Sequence, residues 1–232
     1  MPYDIGVTQA NENPDGVDLL PLMTRPKSVA IVALGRSSPH FITEMVNRGS
    51  GDEPPFEEVW TVNRGLRGFR HDKLFVMDDF RWLEKKHPGY AEWIKKHDKP
   101  VFTSTSYPDY PNALEYPLED VCRHFQEDCF AVNTIGYMVA YAIYAGVEDI
   151  WIYGADFIYP NGNTAEAGGM GVAWLLGWHK KNGGRYHIPA GSTMLYSDRV
   201  RQYEGGVVRR EHYGYHRKEE LEGMLKEEGK CR

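Results

Sequence analysis

Three short stretches of this sequence place chemically useful residues at the ends of apolar segments: Gly35-Arg36-Ser37-Ser38-Pro39, Asn63, and Gly154-Ala155-Asp156. In the first, glycine lets the backbone turn, serine caps a helix and proline suits the first helical turn. The N–H groups opening that helix would then favour an anion such as phosphate. Any strand-to-helix turn needs capping, so an ordinary cap is an equal reading. The stretch is not a G-x-G-x-x-G fingerprint, and it lacks the Lys-Ser/Thr of a P-loop. Asn63 stands where a dinucleotide fold usually carries an acid for the ribose. An amide there suits a neutral or phosphate contact, although a turn residue is the simpler reading of Asn63 alone. Asp156 can accept from ribose hydroxyls, hold a metal or cap the following turn, and the ligand reading is favoured.

The elements that must position these residues follow from the apolar pattern. Residues 28–34 (SVAIVAL) form a continuous apolar run closed by Gly35, as in a strand buried on both faces, and residues 39–48 follow as a helix. Segments 58–62, 73–77, 100–103, 149–153 and 185–188 are read as further strands, and 89–97, 118–126, 134–144, 171–181 and 216–228 as helices. Asn133 and Thr134 cap the fourth helical segment, and Gly146 closes it. Residues 106–117 are rich in Tyr and Pro and are expected to be neither helix nor central strand. Strands alternating with helices imply an α/β fold, a doubly wound, mostly parallel sheet with helices on both faces, Rossmann-like in outline. Such sheets bind ligands beyond the carboxyl ends of their strands, where strand order reverses. The expected organisation is an extended arm over 1–26, a nucleotide-binding domain over 27–200, and a charged C-terminal extension with a helix over 201–232.

Composition narrows the class. With 232 residues, 41% hydrophobic and 26% charged, the chain can build one sizeable core. No apolar run approaches the ~18 residues of a membrane span, and the N-terminus lacks a signal-peptide pattern. A cytoplasmic protein with no membrane span is the expectation. The net charge of −6 argues against binding a nucleic-acid backbone by overall charge. Cys122, Cys129 and Cys231 form a sparse, odd set that fits a reducing compartment, and a helix running through the first two would keep them from pairing.

The stretch from Asn133 to Tyr159, with the Gly35 to Pro39 turn and Val62-Asn63, resembles the bacterial lipooligosaccharide sialyltransferases. Their fold group also includes motility-accessory-factor glycosyltransferases and a hydroxymethylpterin diphosphokinase. The group's opening turn reads Gly-x-Gly-Pro-Ser, its second strand ends Cys-Asn, and its late motif reads Thr-Ser-Gly followed by Gly-Ile-Asp-Phe-Tyr. The counterparts here are Gly35-Arg36-Ser37-Ser38-Pro39, Val62-Asn63, Asn133-Thr134-Ile135 and Gly154-Ala155-Asp156-Phe157, and the resemblance covers roughly residues 28–195.

The resemblance implies a sialyltransferase-like fold and a nucleotide-sugar donor lying over the sheet. Gly35, Arg36, Ser37, Ser38, Asn63, Thr134, Gly154 and Asp156 would hold it, with Ser37 and Asn63 toward the phosphates and Asp156 on the ribose. Tyr159 matches a tyrosine that helps hold the donor phosphate, and a phenol can steady a departing nucleotide without metal. The family's basic histidine has no counterpart in residues 165–170 (AEAGGM), so Glu166 is the candidate base. The implied function is transfer of a sugar from a nucleotide donor to a hydroxyl acceptor, with no metal strictly required. One alternative is a Mg²⁺-dependent pyrophosphoryl or nucleotidyl transferase using Asp78, Asp79 or Asp156. Another is a non-catalytic protein that senses or sequesters a nucleotide. The acceptor is open among glycan, small molecule and modified base, and a homo-oligomer is compatible with the sequence.

Remaining candidates have simpler readings. Asp78-Asp79 lacks the Asp-x-Asp spacing and suits a solvated turn. His212 and His216 share a helical spacing, but Gly214 lies between them and no third ligand is evident. His179 and His187 are read as packing or surface residues. Arg64, Arg67 and Arg70, with Arg36, form either an anion-binding patch or ordinary surface. The Tyr107 to Tyr116 loop is expected, by a small margin, to close over a ligand.

Overall fold

In the computed structural model the described residues are 25–47, 53–63, 70–126, 131–158, 162–189, 192–194, 200–204 and 207–210. The strands are β1 (Ser28–Val32), β2 (Glu58–Val62), β3 (Lys73–Val76), β4 (Val101–Thr103), β5 (Ala113–Glu115), β6 (Asp149–Tyr153), β7 (Arg185–His187), β8 (Val200–Glu204) and β9 (Val207–Arg210). The helices are α1 (Pro39–Asn47), α2 (Phe80–Lys86), α3 (Tyr90–Lys95), α4 (Leu118–His124), α5 (Thr134–Tyr144) and α6 (Gly162–Lys181). Strands β1 to β7 form one sheet in the order β5-β4-β3-β2-β1-β6-β7, with each neighbouring pair parallel. Strands β8 and β9 pair antiparallel.

Helices cover both faces, so the doubly wound α/β architecture holds. On one face Val29, Ile31, Trp60, Phe75, Phe102 and Ile152 pack with Met138, Val139 and Leu175 of α5 and α6. On the other, Ala30, Val32 and Tyr153 meet Phe41 of α1, while Leu74, Val76 and Val101 meet Phe80, Leu83, Tyr90 and Ile94 of α2 and α3. Burial on both faces is what makes β1 read as an unbroken apolar run. Strand order runs outward from β1 in two directions, to β2 and to β6, so the reversal lies between the carboxyl ends of β1 and β6.

Several elements depart from the sequence expectation for local reasons. Helix α6 begins at Gly162, well before residue 171, because Gly168 and Gly169 let it pack against Phe157 and Asn133 despite glycine's poor helix propensity. Within the Tyr/Pro-rich segment, Ala113–Glu115 pairs with β4 as a short edge strand. Helix α2 is an added element, with Asp79 as its N-cap. Helix α4 stops at His124, so the helical-spacing argument for Cys122 and Cys129 fails, and Cys129 lies outside the described residues. Residues 1–24 of the arm expected over 1–26, and the helix expected over 216–228, also lie outside them. Among the described residues no helix is long and apolar enough to cross a membrane.

Candidate functional site

The carboxyl edge is built where β1 and β6 end side by side. Ala33 N–H donates to Tyr153 O (2.8 Å) and Gly35 N–H to Gly154 O (2.8 Å), which extends the pairing past both strands. A Cβ on Gly35 would strike the Gly154 carbonyl and the Asp156 carboxylate, so glycine is required for this approach. Gly154 turns the chain at φ +70°, and its N–H donates to Ser37 Oγ (3.0 Å). Ser37 N–H in turn donates to Asp156 Oδ2 (2.7 Å). The turn after β1 and the turn after β6 are thereby locked to each other through Ser37 and Asp156.

This arrangement corrects one expectation. The Ser37 amide, in the turn that opens α1, was expected to face a phosphate. It already holds an anion, the Asp156 carboxylate, and Ser37 is buried with its N–H and hydroxyl both engaged. The other half of the carboxylate is different. Asp156 is 5% exposed, and its Oδ1 is buried without a hydrogen-bond partner. The Asp156 backbone is fixed as well, because the Thr193 hydroxyl donates to its carbonyl (2.6 Å).

On the other side of β1, Asn63 ends β2 in the left-handed region at φ +50°, which asparagine tolerates better than most residues. Its N–H donates to Phe75 O (2.9 Å), and its Oδ1 is also buried and unpartnered. Phe157, directly after Asp156, is left-handed too, at φ +50°. Left-handed backbone at non-glycine residues costs roughly 1–3 kcal/mol each and tends to cluster at functional edges. Helices α1, α5 and α6 follow or precede parallel strands, so their N-termini lie at this same edge. Asn133 caps α5 by accepting from Gly136 N–H (2.8 Å), and Thr134 is its half-buried first residue.

The remaining candidates separate. Arg36 and Arg70 are exposed, Ser38 is half-buried, and Glu166 lies exposed on α6. Tyr159, Arg64, Arg67, His212 and His216 lie outside the described residues. Asp78 is exposed, while Asp79 caps α2 and pairs with Arg81 (2.7 Å), whose guanidinium bonds lower its carboxyl to about 2. His179 is buried among α6 and the turn into β7, and burial pushes its pKa down. Among the described residues no three His, Cys, Asp or Glu side chains group as a metal site.

The aromatic loop packs on the core, contrary to expectation. Tyr107 stacks on Phe80 (ring centroids 4.1 Å apart) and Tyr110 meets the same ring edge-on. Tyr116 is buried and its hydroxyl donates to Tyr137 O (2.9 Å).

Three contributors escaped the sequence reading. Thr193, in the chain beyond β7, fixes the Asp156 carbonyl, and Phe157 and the Gly168-Gly169 pair bring α6 against the edge. Phe157 stands in the late motif without a role of its own, and the glycine pair reads as a helix breaker. A separate depression of about 810 Å³ lies beside α1, over β6 and β7, lined by Glu44, Trp151, Tyr153, Arg185 and His187 among others. None of the edge residues lines it.

No protein-family model matches the chain, and no curated protein matches it. Among solved structures, it is similar to the sialyltransferase CstII from Campylobacter jejuni in complex with the substrate analogue cytidine-5'-monophosphate. The identity is 17%, the match covers 70% of this chain and 79% of that chain, and the TM-score is 0.41. A structure of the same enzyme with CMP-3FNeuAc matches at 16% identity, 69% and 79% coverage, and a TM-score of 0.41.

Proposed function

We propose that the chain binds a nucleotide at the carboxyl edge of its sheet, with ribose hydroxyls donating to Asp156 Oδ1, and that it transfers a sugar carried by that nucleotide to a hydroxyl acceptor. The observation that carries the binding half is the divided Asp156 carboxylate. One oxygen is held by Ser37 N–H and the other is buried without a donor. A buried acceptor left unpaired costs roughly 1–3 kcal/mol, more when charged, and a ribose hydroxyl supplies the missing donor. Its place at the strand-order reversal is where sheets of this kind take ligands.

The transfer half rests on the motif resemblance. In this reading Asn63 and Thr134 flank the donor, Tyr159 steadies the departing nucleotide, and Glu166 takes the acceptor's proton. An unpartnered carboxylate oxygen also suits a divalent cation, which keeps Mg²⁺-dependent pyrophosphoryl or nucleotidyl transfer as a second reading.

Thermal shift with CMP, UMP, AMP and GMP, each in EDTA and in Mg²⁺, tests this. A nucleotide that raises Tm in EDTA supports metal-independent nucleotide binding, with turnover of a sugar nucleotide then separating transfer from mere binding, and a shift strictly dependent on Mg²⁺ favours the second reading. No shift with any of them under either condition overturns the proposal.

A further inference from the structure

The depression of about 810 Å³ over β6 and β7 is built by side chains that pair across the two strands. Alternation along each strand puts Asp149, Trp151 and Tyr153 of β6 on the α1 side of the sheet, and the register sets Arg185 beside Asp149 and His187 beside Trp151. Neighbours therefore bind one another. Arg185 Nε and Nη2 both donate to Asp149 Oδ2 (3.2 Å each), and His187 Nε2 lies 2.7 Å from Asp149 Oδ1. The His187 ring stacks on Trp151, 12° from parallel with centroids 3.8 Å apart, and Phe56 meets the indole edge-on at 6.4 Å.

Binding capacity is left over at the outer end of this ladder. Strand β7 is the edge of the sheet, the His187 side chain is 40% exposed, and Trp151 stacks on one face of its ring. Arg185 spends Nε and Nη2 on Asp149 and keeps Nη1. The Lys180 ammonium lies over the Tyr186 ring at 6.0 Å. Because Arg185 N–H donates to Glu148 O toward β6, the alternate residue Tyr186 turns its backbone N–H to the open edge.

Among the described residues, two cations, Lys180 and Arg185, line the depression against one carboxylate, Glu44, which accepts from the Tyr153 hydroxyl (2.8 Å). The volume is that of a small-molecule site, and Ile188 and Pro189 add apolar wall. From this set we infer a second binding site, separate from the carboxyl edge, for a small planar aromatic molecule carrying a carboxylate or phosphate. Its ring continues the Trp151–His187 stack on the outer face of His187. Its anionic group takes charge-assisted bonds from Arg185 and Lys180.

The test is isothermal titration of the full chain with naphthoate and naphthyl phosphate, which join a ring to each kind of anionic group. Acetate and inorganic phosphate supply the charge alone, and naphthol the ring alone. At least one ring-bearing anion should bind, about tenfold or more tighter than any single-feature probe, and the one that binds better identifies the anionic group. His187→Ala and Arg185→Gln should each weaken it by about tenfold or more. Both side chains are substantially exposed, at 40% and 64%, so the fold should tolerate the changes. Asp156→Asn, at the carboxyl edge, should leave the binding unchanged. If neither ring-bearing anion binds, if the His187 and Arg185 variants bind as the wild type does, or if Asp156→Asn abolishes binding, the second site is refuted.

Discussion

Asp156 Oδ2 lies 2.7 Å from the backbone nitrogen of Ser37, and this one bond joins the two turns that flank the reversal of strand order. It makes the aspartate both a structural anchor and, through its other oxygen, a candidate ligand group. The roles separate by substitution. Asp156→Ala leaves the buried Ser37 N–H without its acceptor and should destabilise the fold by roughly 1–3 kcal/mol. Asp156→Asn keeps an acceptor for that N–H and should lose less, as read by urea denaturation.

The close approach of the two turns predicts a contrast among glycines. Gly35→Ala places a Cβ against the Gly154 carbonyl and the Asp156 carboxylate, and should cost about 1–3 kcal/mol. Gly177→Ala meets nothing within 4 Å in the body of α6 and should stabilise by about 0.5–1 kcal/mol through better helix propensity. Thermal melts of the two variants should move in opposite directions.

A buried ion pair at the amino ends of β2 and β3 supplies another prediction. Lys73, 1% exposed, donates to Glu58 Oε2, which also accepts from Trp60 Nε1 (2.6 Å). Lys73→Met removes the buried cation that pairs with this carboxylate and should destabilise by about 3–5 kcal/mol. Adding Glu58→Gln removes the charge while keeping an acceptor for the indole, so the double variant should recover much of that loss in a chemical-denaturation cycle.

A buried histidine, His179, and a half-buried one, His97, set a pH dependence. Burial lowers both His97, to about 4, and His179. The unfolded chain then binds protons that the folded chain refuses, so these groups make stability fall as pH drops below their ordinary value of 6.5, and for His97 the loss continues to about 4. His179→Asn should flatten the decline in denaturation midpoints measured across that window. An unchanged slope would show that His179 does not contribute.

Much of this fold was legible because strands buried on both faces leave unbroken apolar runs, as β1 and β6 do, and because Asn133 and Gly146 mark the ends of α5. What was hidden depends on tertiary contact. The start of α6 is glycine-rich and becomes helical where Gly168 and Gly169 pack on Phe157. Strand β5 is three residues paired to an edge, too short to show a period. At the site, the glycine turns and Asp156 were visible, since a carboxylate directly after an apolar strand is conspicuous. The bond from Ser37 to Asp156 was not, because 119 residues separate the partners. Nor does sequence reveal that Tyr107 and Tyr110 spend their rings on Phe80, where core burial outweighs exposure to a ligand.

The central claim is that Asp156 Oδ1 receives the hydroxyls of a nucleotide ribose. Isothermal titration of wild type and Asp156→Asn with a matched ribonucleotide and its 2',3'-dideoxy form tests it most directly. The account predicts that the wild type prefers the ribonucleotide by about tenfold or more, in line with loss of a hydrogen bond to a charged group, and that Asp156→Asn largely erases the preference. Equal affinity of the wild type for both forms, or an undiminished preference in Asp156→Asn, would contradict it.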